Sequence, residues 1–487
     1  MNSFVTKTNY SIIARIIGIL LMIEGLFMLS ALPITFIYCG YDCYTMPLSS
    51  LITFSTGFVL FLFNRKVKKE IGKRDGYITV VLVWIVFTLF GSLPYLISES
   101  IPRFTDAFFE TISGFTTTGS TILIDIEALP KDILYWRSLT QWLGGIGIIV
   151  LTVAILPFLG IGGFQLYIAE MPGVTYDKLH PRITVTAKRI WAIYIVFTLA
   201  QIGLLCIGDM PLYDSICHAL TTVSSGGFSI YNNSIASCSV YSQYIIIFFM
   251  IFAGTNFALH YFALHLKFKK IFHNEEYRMY LTIIGVFTLI IAIGLIIAGN
   301  LNFETAFRES LFTVTAILTT TGYAITNYLL WPPIFWMLIV VLMFIGGCAG
   351  STSGGMKIVR PLLLIRNSRA ELRRSIHPNA VLPVKLNGRT VPMEIIYKIM
   401  AFFSMYILTF VVGVIGLSAF GLDFETAIGA SISSVGNIGL AIGDVGPVES
   451  FAFMPDAAKW TLGFLMLLGR LELFTVLILF SPYFWKK

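Results

Sequence analysis

The chain has 487 residues, of which 56% are hydrophobic, 15% are aromatic and only 12% are charged, with a formal net charge of +7. Soluble domains carry about a quarter charged residues, so this composition excludes an ordinary cytosolic enzyme and a disordered protein. Six cysteines are too few for a disulfide-rich scaffold. The composition predicts a polytopic membrane protein in contact with lipid, and the modest excess of positive charge indicates topology, not nucleic-acid binding.

Ten apolar runs are long enough to cross a bilayer core, which requires roughly 20 residues per helix. In chain order they lie near Ile12–Tyr38, Pro47–Phe63, Tyr77–Ile97, Leu139–Ile161, Ile183–Gly208, Tyr241–Leu266, Met279–Gly299, Phe335–Ile365, Glu394–Leu417 and Ala458–Phe480. The first run lacks a cleavage-like site of small residues and is too long for a signal peptide. We therefore expect ten spans in the mature protein.

The charges of the loops orient these spans. Lys and Arg are concentrated within 65–74, 178–189, 267–278 and 357–389, whereas the segment 208–241 has none and the segment 300–334 has only Arg308. By the positive-inside rule the basic loops are cytoplasmic, and ten spans then place both termini in the cytoplasm. The large basic loop 357–389 is suited to a regulatory partner or to anionic lipid headgroups.

Four outer loops share one sequence pattern. They read DAFFETISGFTTTGS (106–120), DSICHALTTVSSGGF (214–228), ESLFTVTAILTTTGY (309–323) and TAIGASISSVGNIGL (426–440). Aligned without a gap, they place a glycine at one common position, Gly119, Gly227, Gly322 and Gly439, at separations of 108, 95 and 117 residues (227−119, 322−227 and 439−322). The pattern predicts one helix–loop–helix unit repeated four times in the same orientation.

The stretch before each glycine is too short to span a bilayer, so we expect a re-entrant half-helix followed by an extended loop. Such backbone is tolerated at membrane depth only inside protein or along a water-filled path. Asp106, Asp214 and Glu309 are expected to begin three half-helices, where an acid favours the positive end of the helix dipole. The negative carbonyl ends would then meet at a central cavity and favour a cation.

The loops themselves supply carbonyls, hydroxyls and a glycine with unusual backbone freedom. Rings of carbonyl oxygens can replace the hydration shell of a potassium ion. One Thr/Ser/Gly loop is usually an ordinary turn, but four at matched depth between spans favour a selectivity filter.

The whole chain resembles the membrane subunits of the bacterial Trk potassium-uptake system (TrkH/TrkG type), within the Trk/Ktr/HKT superfamily. The matching stretches are YWRSLTQWLGGIGI (135–148), FRESLFTVTAILTTTGYAITNY (307–328), GGCAGSTSGGMK (346–357), ELRRSIHPNAVLPVKLNG (371–388) and MLLGRLELFTVLILFSPYFW (466–485). The resemblance implies an all-α polytopic membrane protein with four helix–pore-loop–helix repeats around a pseudo-fourfold pore. An N-terminal pair of transmembrane helices precedes them.

The resemblance divides the chain into 1–75 (N-terminal extension), 76–165, 166–272, 273–370 with a broken second helix, and 371–487 (repeats one to four). It implies a homodimer in the bacterial cytoplasmic (inner) membrane, docked on a cytoplasmic nucleotide-binding regulatory subunit. No cofactor is expected, and potassium is the transported ion, bound at the filter only.

Carried over by position, the filter residues are Thr116, Thr117, Thr118, Gly119; Ser224, Ser225, Gly226, Gly227; Thr319, Thr320, Thr321, Gly322; and Gly436, Asn437, Ile438, Gly439. The fourth strand lacks hydroxyls and is expected to act through carbonyls alone. In the second repeat the ungapped alignment selects Gly227 over the adjacent Gly226.

The eighth span contains a nearly continuous cluster of residues that disfavour helix: Gly346, Gly347, Gly350, Ser351, Thr352, Ser353, Gly354 and Gly355. A helix-packing face would repeat every fourth residue, and each glycine costs a helix up to about 1 kcal/mol. We therefore expect an unwound segment. The resemblance implies an intramembrane loop that obstructs the pore below the filter and acts as a gate.

Arg470 is expected near the middle of the last span. An intramembrane arginine normally faces a cavity or a partner, and the resemblance implies that it lies on the ion path as part of the gate. The alternative is a structural ion pair, for example with Glu472.

The leading prediction is potassium uptake through a channel-like pore. A less selective K⁺/Na⁺ channel or a cation symporter of the same fold is the alternative, and a membrane-embedded transferase is disfavoured because the outer loops carry no cluster of acid–base groups. His260 and His265 lack further metal ligands nearby. Cys39 and Cys43 could pair. For Glu24 a polar contact between helices is favoured over an ion site.

Overall fold

A computed structural model describes residues 8–38, 44–66, 72–150, 180–299, 301–447 and 449–486. The cysteines Cys39 and Cys43, the basic residues Lys68, Lys69 and Lys178, and the end of the fourth predicted span lie outside the described residues. Within the described ranges the chain is helical apart from its loops, short 3₁₀ turns and one small hairpin.

The N-terminal extension consists of the helices Tyr10–Leu29, Leu32–Tyr38 and Thr45–Asn64. The two long helices pack antiparallel through glycines. A β-carbon added to Gly18 or Gly57 would lie within 3.0 Å of the backbone of the facing helix. The Ser50 hydroxyl donates to the Gly25 carbonyl at 2.7 Å. Small residues of this kind let helix backbones approach closely in a membrane.

The rest of the chain repeats one pattern of three elements four times. In each repeat a first long helix, here called the outer helix, is followed by a half-helix and then by a second helix, here called the inner helix. The outer helices are Lys73–Gly91 (continued by Leu93–Ile97), His180–Ile207, Glu275–Gly299 and Met393–Ala419. The half-helices are Phe104–Phe115, Leu212–Val223, Phe303–Leu318 and Phe424–Gly436. The inner helices are Lys131–Val150, Val240–Ala253, Pro333–Ile345 and Asp456–Arg470.

Shorter elements join or follow these helices. The helices are Phe257–Leu264, Phe268–Phe272, Val359–Ile376, Phe474–Leu477 and Pro482–Trp485. The 3₁₀ turns are Tyr328–Leu330, Gly443–Val445, Phe451–Phe453 and Ile478–Phe480. The strands Lys385–Leu386 and Arg389–Thr390 form an antiparallel hairpin in which Lys385 faces Thr390.

Among the described residues, six of the ten predicted spans are helical stretches long and apolar enough to cross a membrane, and eight are if each of two bent helix pairs counts as one span. The fourth prediction corresponds to Lys131–Val150, which precedes residues outside the described ranges. The eighth corresponds to the 13-residue helix Pro333–Ile345, which ends at Gly346 as the glycine-rich cluster predicts.

The sixth and tenth spans, predicted to be continuous, are bent. Val240–Ala253 meets Phe257–Leu264 at 104°, and Asp456–Arg470 meets Phe474–Phe480 at 110°. The Asn256 side chain accepts a hydrogen bond from the Ala258 amide and so starts a new helix. Leu473 has a left-handed φ of 46°. Hydropathy averaged over a whole span does not detect these breaks, because the helices on either side of each break are apolar enough together to pass as one span.

Burial is highest in the half-helices and lowest on the outer helices. Every residue from Phe312 to Leu318 is buried, whereas Leu289, Ile293 and Ile297 on the neighbouring outer helix are more than half exposed. An apolar exterior around a tightly packed interior is the arrangement that a bilayer favours. The half-helices, about 18–24 Å long at 1.5 Å per residue, therefore end inside the protein.

Candidate ion-conduction site

The four half-helices end in the same hydrogen-bonded cap. The amides of Thr118, Gly226, Thr321 and Ile438 each donate to the carbonyl five residues earlier, at 2.8–2.9 Å. The residue before each of them donates to the carbonyl three residues earlier, at 2.9–3.3 Å. This pair of bonds is the Schellman motif, which satisfies the last helical carbonyls and turns the chain out of the helix.

Each cap places a non-glycine residue in the left-handed region. Thr117, Ser225, Thr320 and Asn437 have φ of 53–55°. For a branched residue such as threonine this conformation is rare and costs roughly 1–2 kcal/mol. Strain of this kind persists where the surroundings enforce it and is concentrated at functional sites. Sequence analysis anticipated the glycine turns but not these four left-handed residues.

The four predicted filter glycines form a closed ring. Their φ values lie between 76° and 92°. A β-carbon added to any of these glycines would fall within 3.0 Å of a carbonyl oxygen in the next loop. Gly119 faces the carbonyl of Gly226, Gly227 that of Thr321, Gly322 that of Ile438, and Gly439 that of Thr118. The structure thus brings all four loops to one place, and the four glycines line one open cavity.

The side chains that support the loops differ between repeats. In the first and third repeats the hydroxyls of Thr116 and Thr118, and of Thr319 and Thr321, lie 2.8 Å apart. In the fourth repeat the Asn437 amide donates to the Thr118 hydroxyl and to the Met466 carbonyl, both at 2.9 Å. The fourth loop, expected to act through its carbonyls alone, therefore also uses a side chain to close the ring.

Gln141, on the first inner helix, supports the second loop. Its amide donates to the Gly226 carbonyl at 2.7 Å, and its carbonyl accepts from the Phe228 amide at 3.0 Å. Sequence analysis did not identify this residue, because its partners lie 85 and 87 positions away. The available signal was its place in the stretch 135–148, which carries the family resemblance.

A buried ion pair lies behind the first two loops and was also missed. Arg137 Nε donates to Glu110 at 2.7 Å, and both side chains are almost fully buried. Arg137 also donates to the Ser229 carbonyl at 2.8 Å and lies over the Phe228 ring. Glu110 accepts from the Ile122 amide at 2.9 Å. The pair joins the first half-helix and inner helix to the second loop.

Removing one member of this pair should destabilise the protein strongly. We expect Arg137→Met to lower the free energy of unfolding by about 3–5 kcal/mol, because it leaves the Glu110 carboxylate buried without its partner. The double variant Glu110→Gln/Arg137→Met should recover part of the loss. Thermal unfolding midpoints of the purified variants test this, and equal midpoints for the single and double variants would contradict it.

Acidic residues begin all four half-helices, but not always those predicted. Asp106 and Asp214 lie in the first turns of their helices. Glu309 does not, because the third half-helix is longer and begins at Phe303, so that Glu304 takes this position. In the fourth, Asp423 is the N-cap, and hydrogen bonds from Thr426 lower its pKa.

The segment between Ile345 and Val359 is not helical and lies against the loop ring. The Thr352 hydroxyl is 2.8 Å from that of Ser225 and donates to the Val223 carbonyl at 3.1 Å. The Gly354 amide donates to the Thr320 hydroxyl at 2.6 Å. A β-carbon on Gly354 would fall within 3.0 Å of the Gly436 carbonyl oxygen. The segment therefore contacts three of the four loops.

The remaining members of the predicted gate support this segment from within. The Ser351 hydroxyl donates to the Cys348 carbonyl at 2.6 Å, and the Ser351 and Ser353 hydroxyls are 2.5 Å apart. Lys357 donates to the Ser353 carbonyl. Gly346, Gly350 and Gly355 have positive φ, and the Ile358 amide donates to Gly347 at 3.0 Å. These contacts give a compact loop, not an extended chain.

Arg470 is the last residue of Asp456–Arg470 and stands at the bend, not in the middle of a continuous span. Its guanidinium donates to the Thr352 carbonyl and to the Gly144 carbonyl, both at 2.9 Å. No carboxylate of the described residues forms an ion pair with it. Glu472, its possible partner by sequence, pairs with Arg360 at 2.6 Å. Arg470 thus links the non-helical segment to the first inner helix.

The two histidines considered as metal ligands, His260 and His265, contact backbone carbonyls. His260 Nε2 is 2.9 Å from the Phe252 carbonyl oxygen, and His265 Nδ1 is 2.9 Å from that of Tyr261. Among the described residues no group of three His, Cys, Asp or Glu side chains could hold a metal ion.

Comparison with known proteins gives one consistent result. Residues 48–487 match the family model described as "TrkH: Cation transport protein". The chain is 40% identical to "Trk system potassium uptake protein TrkH" of Salmonella typhimurium, over 98% of this chain and all of that protein. It is 35% identical to TrkG of Escherichia coli K12, over 99% of both. The crystal structure of the potassium transporter TrkH from Vibrio parahaemolyticus covers 98% of this chain with a TM-score of 0.90 and 37% identity.

Proposed function

This chain belongs to the TrkH family of cation transport proteins, and from that premise we propose that it takes up potassium through the ring of four loops. The relatives are named potassium uptake proteins, and this chain aligns with nearly their whole length. The observation that carries the proposal for this chain is the closed ring of Gly119, Gly227, Gly322 and Gly439, in which each glycine adjoins a carbonyl of the next loop.

The filter that we propose consists of residues 116–119, 224–227, 319–322 and 436–439. Four loops around one axis can offer rings of backbone oxygens to an ion that has lost its water. The half-helix ends point towards this place, and their dipoles favour a cation there. The Schellman caps support the proposal, because they hold the four loops in one conformation although their sequences differ.

The gate that we propose consists of residues 346–355 and Arg470. Its support is the set of contacts from Thr352 and Gly354 to the loops, together with the hydrogen bond from Arg470 to Thr352. An arginine is always charged, so it would repel a cation leaving the filter. A conducting state would require this segment to move away from the ring.

The Trk name indicates a system with more than one component. We propose a homodimer in the bacterial inner membrane with both termini in the cytoplasm, docked through its basic loops on a nucleotide-binding regulatory subunit. The repeat boundaries 76–165, 166–272, 273–370 and 371–487 belong to this proposal.

Ion flux into liposomes tests the function directly. Purified protein should admit rubidium and potassium faster than sodium, and a membrane potential that is negative inside should accelerate entry. Equal entry of sodium would favour the less selective channel. Uptake that requires a proton or sodium gradient would favour a symporter, and absence of cation flux from a monodisperse preparation would contradict transport.

Deletion of residues 350–355 should raise the rate of rubidium influx, because it removes the part of the segment that contacts Ser225 and Thr320. The Thr352→Ala variant is the control for the altered chain length, because it keeps the length of the segment and removes only the hydroxyl that contacts Ser225 and the Val223 carbonyl. An unchanged influx in a deletion variant that elutes as a single folded species would remove the segment from the gate.

A further inference from the structure

A buried carboxyl without a hydrogen-bond partner lies in the N-terminal helices, away from the ring of loops. Glu24, on the N-terminal helix Tyr10–Leu29, is 1% exposed, and neither of its carboxylate oxygens has a hydrogen-bond partner among the described residues. The polar contact between helices expected for Glu24 is therefore not found there. Burying an unpaired carboxylate is so costly that the group takes up a proton instead.

The residues around Glu24 explain why it has no donor. The Thr88 hydroxyl donates to the Trp84 carbonyl, and the Ser92 hydroxyl donates to the Leu89 carbonyl, both at 2.8 Å. On the other side, the Ser50 hydroxyl is bound to the carbonyl next to Glu24 in sequence, that of Gly25. The hydroxyls on the flanking segments are thus bound to backbone and leave the carboxyl in an apolar setting.

On the described elements packed around Glu24, the ionisable side chains are either distant along their helices or bonded to other partners. The facing helix Thr45–Asn64 carries no ionisable side chain. On Lys73–Gly91 the ionisable residues are Lys73, Arg74, Asp75 and Tyr77, which lie at the opposite end from Gly91, about 20–27 Å away at 1.5 Å per residue. On Phe104–Phe115 they are Asp106 and Glu110, paired with Lys459 and Arg137. The helix Lys131–Val150, which contacts Phe27 and the Gly91 carbonyl through Trp142 and Trp136, carries Lys131 (over the Tyr38 ring), Asp132 (bonded to Thr35), Tyr135 (bonded to Ser30) and Arg137. On Glu24's own helix Arg15 and Tyr10 lie about 14 and 21 Å away along the axis at 1.5 Å per residue.

Only a glycine separates Glu24 from the first half-helix. A β-carbon on Gly91 would lie 3.1 Å from Glu24 Oε1, 3.0 Å from Thr111 Cγ2 and 2.6 Å from the Phe115 ring. Phe115 is the last residue of that half-helix and directly precedes Thr116. A change in the charge of Glu24 would therefore act on packing next to the first loop of the ring.

We propose that Glu24 is an intramembrane proton-binding site that carries a proton in this structure. The proton allows the N-terminal helix to pack against Gly91. An ionised Glu24 would instead have to attract water or a counter-ion into this contact. The proposal concerns the N-terminal helices and does not depend on the ion selectivity of the ring.

A hydrophobic carbodiimide tests for this proton. Such reagents modify protonated carboxyls in apolar surroundings. The carboxyl proton moves to a carbodiimide nitrogen and the carboxylate oxygen bonds to the central carbon, giving an O-acylisourea that rearranges to a stable N-acylurea. Dicyclohexylcarbodiimide would be applied to the full chain in liposomes, and labelled peptides would be identified by mass spectrometry.

Glu110 is the matched control, because it is equally buried but paired with Arg137. We expect the label on Glu24 and not on Glu110, less label as the pH is raised, and none in Glu24→Gln. An unlabelled Glu24 in the wild-type chain, or equal labelling of Glu110, would overturn the proposal. The comparison of Glu24 with Glu110 in the wild-type chain needs neither transport nor the variant, so it remains distinct from failure of the flux experiment.

Thermal stability gives a second measurement. If the folded chain holds a proton at Glu24 that the unfolded chain releases, the free energy of unfolding falls as pH rises. The Glu24→Gln variant is neutral at every pH and lacks this component. The unfolding midpoint of the wild type should therefore fall relative to that of Glu24→Gln towards alkaline pH, and a constant difference between them would contradict a bound proton.

Discussion

Gly322→Ala should abolish most potassium and rubidium influx while leaving the chain in the membrane. Gly322 has a φ of 76°, and a β-carbon there would fall on the Ile438 carbonyl oxygen of the next loop. The left-handed conformation costs alanine about 1–2 kcal/mol, and overpacking adds about 1–3 kcal/mol. If the loop relaxes by displacing that carbonyl, influx should fall roughly thirtyfold or more.

Gly388 is the matched control for the conformational cost of placing alanine at a positive φ. It has almost the same φ, 77°, but no atom lies within 4 Å of its added β-carbon, and it belongs to the hairpin that contains Lys385–Leu386. Gly388→Ala should therefore share the conformational penalty and keep normal influx. Gly322→Ala would contradict the assignment of the ring if it conducted as fast as Gly388→Ala.

Arg470→Ala should increase influx. The substitution removes the hydrogen bond that holds Thr352 and also removes a positive charge from the side of the ring where residues 346–358 lie. A hydrogen bond to a charged group contributes about 1.5–3 kcal/mol, so the released form should become roughly ten- to a hundredfold more populated. Rubidium influx, normalised to the amount of monodisperse protein, measures the change.

Arg470→Lys separates the two causes. Lysine keeps the charge but cannot reproduce the two-pronged contact with Thr352 and Gly144, because its ammonium is a single point donor. Influx close to that of Arg470→Ala would assign the effect to the hydrogen bonds, and influx close to wild type would assign it to the charge. Loss of folded protein in both variants would support a purely structural role instead.

The all-α polytopic fold and the membership of the TrkH family could be predicted from the sequence because both depend on patterns that repeat along the chain. The gap-free alignment of four glycines also predicted which loops meet, since equivalent units of one orientation place equivalent residues around one axis. The interruption at Gly346 was predictable for a different reason. Its cause is local, a run of residues with poor helix propensity.

The parts that were missed depend on residues distant in sequence. Gln141 and Arg137 look like ordinary polar residues of an inner helix until the second loop is folded against them. The bend after Arg470 has two successive residues of positive φ, Glu472 and Leu473, and a hydropathy average contains no information on backbone conformation. Glu24 was noticed, but its lack of a partner is a property of the three-dimensional packing.

All four loops of the ring belong to a single polypeptide, and this has a consequence for inheritance. In a ring of identical subunits a single codon change alters every quadrant, whereas here it alters one. Asn437 and Gln141 each serve one quadrant only. The quadrants can therefore diverge independently in evolution, and a single natural substitution in this chain should alter only one side of the ring.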